Sequence, residues 1–153
     1  PKHGRSDDAV WGHYRPALQR AQVLPHLTAH KVVSSVEEVA VEFPNAWRND
    51  AWHCLHPFSL DLIEADSIRE KAHKLIGQMA GITSAMRDDH LYLMLGEPSD
   101  QALRPTMERS LTLMHQNLGI RHTIVREAES EAFCRDLGER VKAHVIEGES
   151  ARG

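Results

Sequence analysis

The clearest signal in the chain is a change of period. His90-Leu91-Tyr92-Leu93-Met94-Leu95 is an almost unbroken apolar run that stops at Gly96-Glu97-Pro98-Ser99-Asp100. That pattern belongs to a buried strand leaving a sheet through a polar crest loop. On both sides the spacing changes to that of an amphipathic helix. Ile68, Ala72, Leu75, Ile76 and Met79 form one stripe before the run, opened by Ser67 and Glu70 at capping-box spacing, or by Asp66, and closed by Gly81. Leu103, Met107, Leu111, Met114 and Leu118 form a second stripe after it, with Pro105 near its start and Gly119 at its end. Ile120 to Arg126 returns to alternation, with enough polar residues to predict an edge strand. Ser130 then opens a last helix whose expected core face is Phe133, Leu137, Val141 and Val145.

Upstream, Val39, Val41 and Phe43 alternate with Glu38, Ala40 and Glu42, predicting a half-buried strand over Val36 to Phe43. Pro44 to Asp50 reads as a turn, and a second strand follows from about Ala51 to Ile63. Trp52, Cys54, His56, Phe58, Leu60 and Leu62 share one of its faces; His53, Leu55, Ser59, Asp61 and Ile63 share the other. Pro57 is expected to bend this strand or place it at an edge. The first 35 residues carry the weakest pattern. Pro1 to Asp8 is expected to be disordered, a short helix to begin at Pro16, and Leu27 to Val33 to be either a strand or an ordered loop.

These elements predict a single α/β domain with a mixed sheet: an N-terminal antiparallel hairpin followed by helix-strand-helix-strand-helix, with the helices packed on the sheet. Residues 1–35 would be an N-terminal arm, 36–147 the domain and 148–153 a frayed tail. The last two strands, joined by a helical crossover, should run parallel with a right-handed connection. Both crest loops then leave the same edge of the sheet and bring Glu97, Asp100, Arg104, Arg126 and Glu127 together as a candidate ligand-binding rim. The carboxylates there could hold a divalent cation and the arginines an anion; equally, they could be helix caps with neutralising partners.

Composition narrows the function without naming a reaction. The chain has 153 residues, 41% hydrophobic and 26% charged, with a net charge of -4, an ordinary globular balance without bulk attraction to nucleic acid or anionic membrane. No apolar stretch approaches the roughly 20 residues of a membrane span. Pro1 is expected to mark a start inside a longer protein. Cys54 and Cys134 lack the CxxC spacing and are expected to be reduced, buried thiols of a cytoplasmic protein. Among eleven histidines, His53 and His56 would point to opposite faces of one strand. Cys54 and His56 share a face, which His90 or His122 could join, but two local ligands fall short of a zinc site and no metal or other cofactor is expected. No GxxxxGK[ST], GxGxxG or GxSxG motif occurs, no strand carries an acidic-x-Lys element, and the catalytic residues stay unknown.

The expectation is a protein-interaction or assembly domain of a larger cytoplasmic protein, binding a protein partner or a second copy, with Trp11, Trp47 and Arg48 as interface candidates. The alternative is a divalent-metal-dependent, nuclease-like hydrolase using the acidic crest loops.

Overall fold

A computed structural model describes residues 4–34 and 40–152, so the Val36–Val39 part of the expected first strand and Pro1–His3 lie outside the described residues. Helix α1 (Asp7–Arg20) comes first, then strands β1 (Thr28–Val33), β2 (Ala40–Arg48) and β3 (Trp52–Ser59). Helix α2 (Ala65–Ala80), β4 (His90–Gly96), α3 (Arg104–Asn117), β5 (Arg121–Val125) and α4 (Ser130–Arg152) complete the order. The five strands form one sheet in sequence order. β2 is antiparallel to β1 and β3, while β3, β4 and β5 run parallel. The fold is the mixed α/β sheet that the sequence predicts, with one further antiparallel strand, β1, at the edge.

β4 is the centre because Leu91 to Gly96 are all buried. Its residues alternate between two cores. Leu91, Leu93 and Leu95 join Cys54, Phe58, Ile68, Leu75, Met107 and Leu111 on the face covered by α2 and α3. Tyr92 and Met94 join Tyr14, Leu18, Leu55, Leu137 and Val141 on the face covered by α1 and α4. A strand with helices on both sides has no solvent face, hence its continuous apolar run. Cys54 and Cys134 are buried free thiols belonging to opposite cores.

Several local expectations need correction. β2 continues through Pro44 to Arg48, so Trp47 lies on a strand and not in a turn. The register shift between Thr28 and His30 leaves Pro44 and Asn45 opposite a single residue of β1, a bulge that accommodates the proline. Pro57 lies in a central strand, yet pairing to β2 stops at Leu55 while pairing to β4 continues to Ser59. At Pro57 the strand is therefore paired on one side, and its missing N–H costs no ladder bond.

α1 begins at Asp7, not at Pro16. Ser6 caps it by accepting the Ala9 N–H, and Asp7 and Asp8 fill its first turn. Pro16 falls inside the helix on its exposed side, where water can reach the carbonyl of Gly12 that it leaves without a partner. α2 starts at Ala65 after Glu64, which makes Ser67 a first-turn residue and not the cap. α4 spans Ser130–Arg152, and Val145, expected in the core, is 36% exposed.

α1 is integral to the core. The Tyr14 hydroxyl lies 2.9 Å from the Leu95 carbonyl and 3.2 Å from that of Val125, tying the helix to the ends of β4 and β5. Asp7 accepts the Ser59 N–H at 2.8 Å and the Lys71 ammonium at 2.6 Å. Farther along, α4 passes so close that a Cβ on Gly138 would lie 2.6 Å from the Ala21 carbonyl oxygen.

Gly138→Ala should therefore lower stability by about 1–3 kcal/mol in urea unfolding, since backbone and helix must move apart. Gly77→Ala, in mid-α2 with open space around it, should raise stability by up to about 1 kcal/mol.

Candidate functional site

Two polar clusters lie at opposite ends of the parallel strands. The first is the crest at their carboxyl ends. The pairing of Tyr92 with Thr123 and of Leu93 with Ile124 fixes β4 and β5 in parallel register, so both crest loops emerge side by side. They touch directly: the Glu97 N–H donates to Glu127 Oε1 at 2.6 Å. Arg126 pairs with Glu97 at 3.3 Å and with Glu108. Asp100 instead accepts the Ala102 N–H and caps the short turn before α3, while Arg104 starts that helix exposed. Of the five expected rim residues, the contacts thus gather Glu97, Arg126 and Glu127.

The centre of this cluster is Arg5, a residue without a local sequence signal. Its Nε donates to Asp61 at 2.6 Å, and its other nitrogens donate to the Glu97 carbonyl at 2.9 Å and to both oxygens of Glu127. Asp61, whose side chain is 3% exposed, also accepts the Ser99 N–H and hydroxyl, each at 2.8 Å. Burial alone would raise the Asp61 pKa, but the Ser99 N–H, the Arg5 guanidinium and the Ser99 hydroxyl together hold it below the ordinary value. Burial also pushes Glu127 up and is outweighed by Arg5 and the Glu97 N–H. The carboxylates therefore spend their lone pairs on internal donors.

The second cluster lies at the amino ends of the same strands, on the α1/α4 face. Register places His53 beside His90 and His90 beside Arg121. The side-chain amide of Asn49 accepts the Ala51 N–H at 3.1 Å, which identifies the accepting atom as the oxygen Oδ1, and that atom lies 3.0 Å from His53 Nε2. Nε2 must then carry the proton and Nδ1 the lone pair, so the Tyr92 hydroxyl donates to His53 Nδ1 at 3.2 Å. Arg140 Nη1 donates to the same Tyr92 oxygen at 3.0 Å, with its guanidinium carbon 5.5 Å from the ring centre. His53 stacks on Trp47 at 4.5 Å and His90 on Tyr92 at 4.4 Å, while His90 Nε2 lies 2.8 Å from Thr123 Oγ1. Burial, then Arg140 and His90, push the His53 pKa down to about 4 against the opposing charge of Asp89.

Among the interface candidates, Trp47 is 2% exposed beneath α4, Trp11 is half-buried against the α1/α4 core, and Arg48 is exposed with its guanidinium over Trp52. His90 lies on the opposite sheet face from Cys54 and His56, which separates that ligand combination. Among the described residues, no three His, Cys, Asp or Glu are grouped to hold a metal ion. No described helix is long and apolar enough to cross a membrane. Comparison with family models, with curated proteins and with solved structures finds no match.

The crest makes a pH-dependent prediction. Because Asp61 and Glu127 titrate below their ordinary values in the folded state, the unfolded chain takes up protons first, and their stabilisation is lost as pH falls below about 4. Arg5→Ala should cost about 2–3 kcal/mol at neutral pH, less than for a fully buried pair because Arg5 is partly exposed. The gap to wild type should narrow in acid, where protonation relieves the orphaned carboxylates. Urea titrations at neutral and acid pH measure both effects.

Proposed function

We propose that the chain is a protein-interaction and assembly domain of a larger cytoplasmic protein, and that it self-associates through the second half of α4. The reading is carried by the overhang of that helix. α4 has 23 residues against 14 in α1, which makes it about 13 Å longer at 1.5 Å per residue. Past the last turn of α1, Val145 and Ile146 are 36% and 52% exposed. They line a groove of 620 Å³ together with Gln22 and His26 from the segment after α1 and with Lys142 and Glu149 of α4 itself. A second hollow of 340 Å³, lined by Arg48 and His144, shares His26, Val141, Val145 and Glu149 with it.

The charges around this apolar pair favour a second copy as the occupant. Arg135 and Lys142 alternate with Glu139 and Glu149 along α4. When two such helices pack about a two-fold axis, the same surface serves both copies and cations of one meet carboxylates of the other. The hydrolase reading has less support, because Arg5 and Ser99 already take the Asp61 and Glu127 oxygens that a divalent cation would need.

Sedimentation velocity across the micromolar range tests the proposal. Wild type should shift from monomer to dimer with concentration, and Val145→Glu combined with Ile146→Glu should stay monomeric without loss of helicity or melting temperature. A wild-type chain that remains monomeric throughout, or a double variant that dimerises equally well, refutes it.

A further inference from the structure

We propose that the amino-end corner of the sheet, where Arg140 is held over Tyr92 beside His90 and Arg121, is a binding site for a phosphate-class oxyanion. The proposal is independent of self-association, since it concerns the strand ends and not the α4 overhang.

The first argument is directional. Asn49 to His53 to Tyr92 to Arg140 is a hydrogen-bonded chain whose donors and acceptors are fixed in sequence by the Ala51 N–H at its inner end. Each link removes one freedom from the next. Tyr92 is 5% exposed and held by His53; it fixes one guanidinium nitrogen of Arg140 by hydrogen bond and the guanidinium plane by its ring. Arg140 itself is exposed, so its remaining N–H groups are open to a ligand on a guanidinium that Tyr92 already holds. Pre-orientation of a planar, multi-donor cation is what bidentate recognition of a phosphate requires.

The second argument is charge. Among the described residues, Arg140 and Arg121 pair with no carboxylate, unlike Arg5, Arg20, Arg69 and Arg126 but like Arg15, Arg48, Arg87, Arg104, Arg109 and Arg135. Both approach His90, whose imidazolium form is disfavoured first by burial and then by Arg140, His122 and Arg121. The groups on His90's face are thus Tyr92 on its own strand, Thr123 and Arg121 from β5, His53 from β3 and Arg140 from α4; His122 lies on the opposite face beside His115 and acts on His90 through its charge alone. Asp89 is the neighbouring carboxylate in the sequence, and its Oδ1 is engaged by the Trp52 N–H at 3.0 Å. The chain as a whole is acidic, at -4, so this cationic corner is a local feature and not part of a general basic surface.

An oxyanion seated between Arg140 and Arg121 would reduce their repulsion and favour protonation of His90, adding a third donor. Binding should therefore strengthen as pH falls through the ordinary histidine range, until His53 begins to titrate near pH 4 and breaks the chain.

The test titrates the full chain with inorganic pyrophosphate by calorimetry and by imidazole NMR shifts of His90 and His53. A second arm uses a fluorescent single-stranded oligonucleotide, read by anisotropy, to separate free phosphate from a phosphodiester backbone as the source. Saturable binding in either arm is expected, at least about tenfold weaker in Arg140→Gln, the loss of one charge-assisted hydrogen bond. Tyr92→Phe keeps every charge but removes the contact that orients Arg140; it should weaken binding while leaving the melting temperature within a few degrees. Absence of saturable binding in both arms overturns the proposal. So does binding that Arg140→Gln leaves unchanged while that variant melts like wild type.

Discussion

The ionised pair Asp61 and Glu127 can exist at the edge of a buried sheet because Arg5 arrives from outside the strand system to meet both, with Ser99 completing Asp61 and the Glu97 N–H completing Glu127. A carboxylate 3% exposed, as Asp61 is, would be strongly destabilising alone, and one donor would not compensate for the water it has lost. Arg5 offers a planar fork that reaches both acids and the Glu97 carbonyl at once. That contact does more than balance charge. It fixes where the chain enters α1, and α1 then delivers Tyr14 to the carbonyls of Leu95 and Val125. The parallel strands, their crest loops and the first helix are thus held by one connected set of bonds.

This arrangement alters the usual economy of an open α/β sheet. Ligands commonly gather at the carboxyl ends of parallel strands, where loops and helix starts converge. Here that position is filled by the protein's own N-terminal segment: Gly4 packs so tightly on Asp61 that a Cβ would lie 2.4 Å from its carbonyl oxygen. The opposite ends of the strands carry Arg140 and Arg121, which among the described residues pair with no carboxylate. The two ends therefore differ in that the acids of the crest are satisfied internally and these two arginines are not.

Elements with dense local patterns were legible. The two-sided burial of β4, the stripe of α2 and the polar edge strand β5 all follow from periods that single residues cannot blur. The parallel pairing of β4 with β5 followed from chain geometry, because a helical crossover leaves little alternative. Prolines misled where tertiary context overrode local preference: Pro44 sits in a bulge, Pro16 on the exposed side of a helix and Pro57 where one neighbour has left. Trp47 looked like a surface residue between asparagines, yet the bulge carries β2 past that turn and puts the indole under α4.

The candidate sites were legible only in part, and the reason is register. Glu97, Arg126 and Glu127 could be grouped because their loops had to share an edge. Arg5 could not be, since 56 residues separate it from Asp61 and 122 from Glu127, and neither distance leaves a periodic trace. The His53–Tyr92–Arg140 chain is hidden in the same way. Each member lies on a different element, and a slip of one residue between β3 and β4 would turn Tyr92 away from His53 and into the other core. What holds that register is burial: Leu91, Leu93 and Leu95 must face α2 and α3, which leaves His90, Tyr92 and Met94 no choice of side. The polar chain is thus positioned by the apolar residues between its members, and its geometry is as well determined as the core itself.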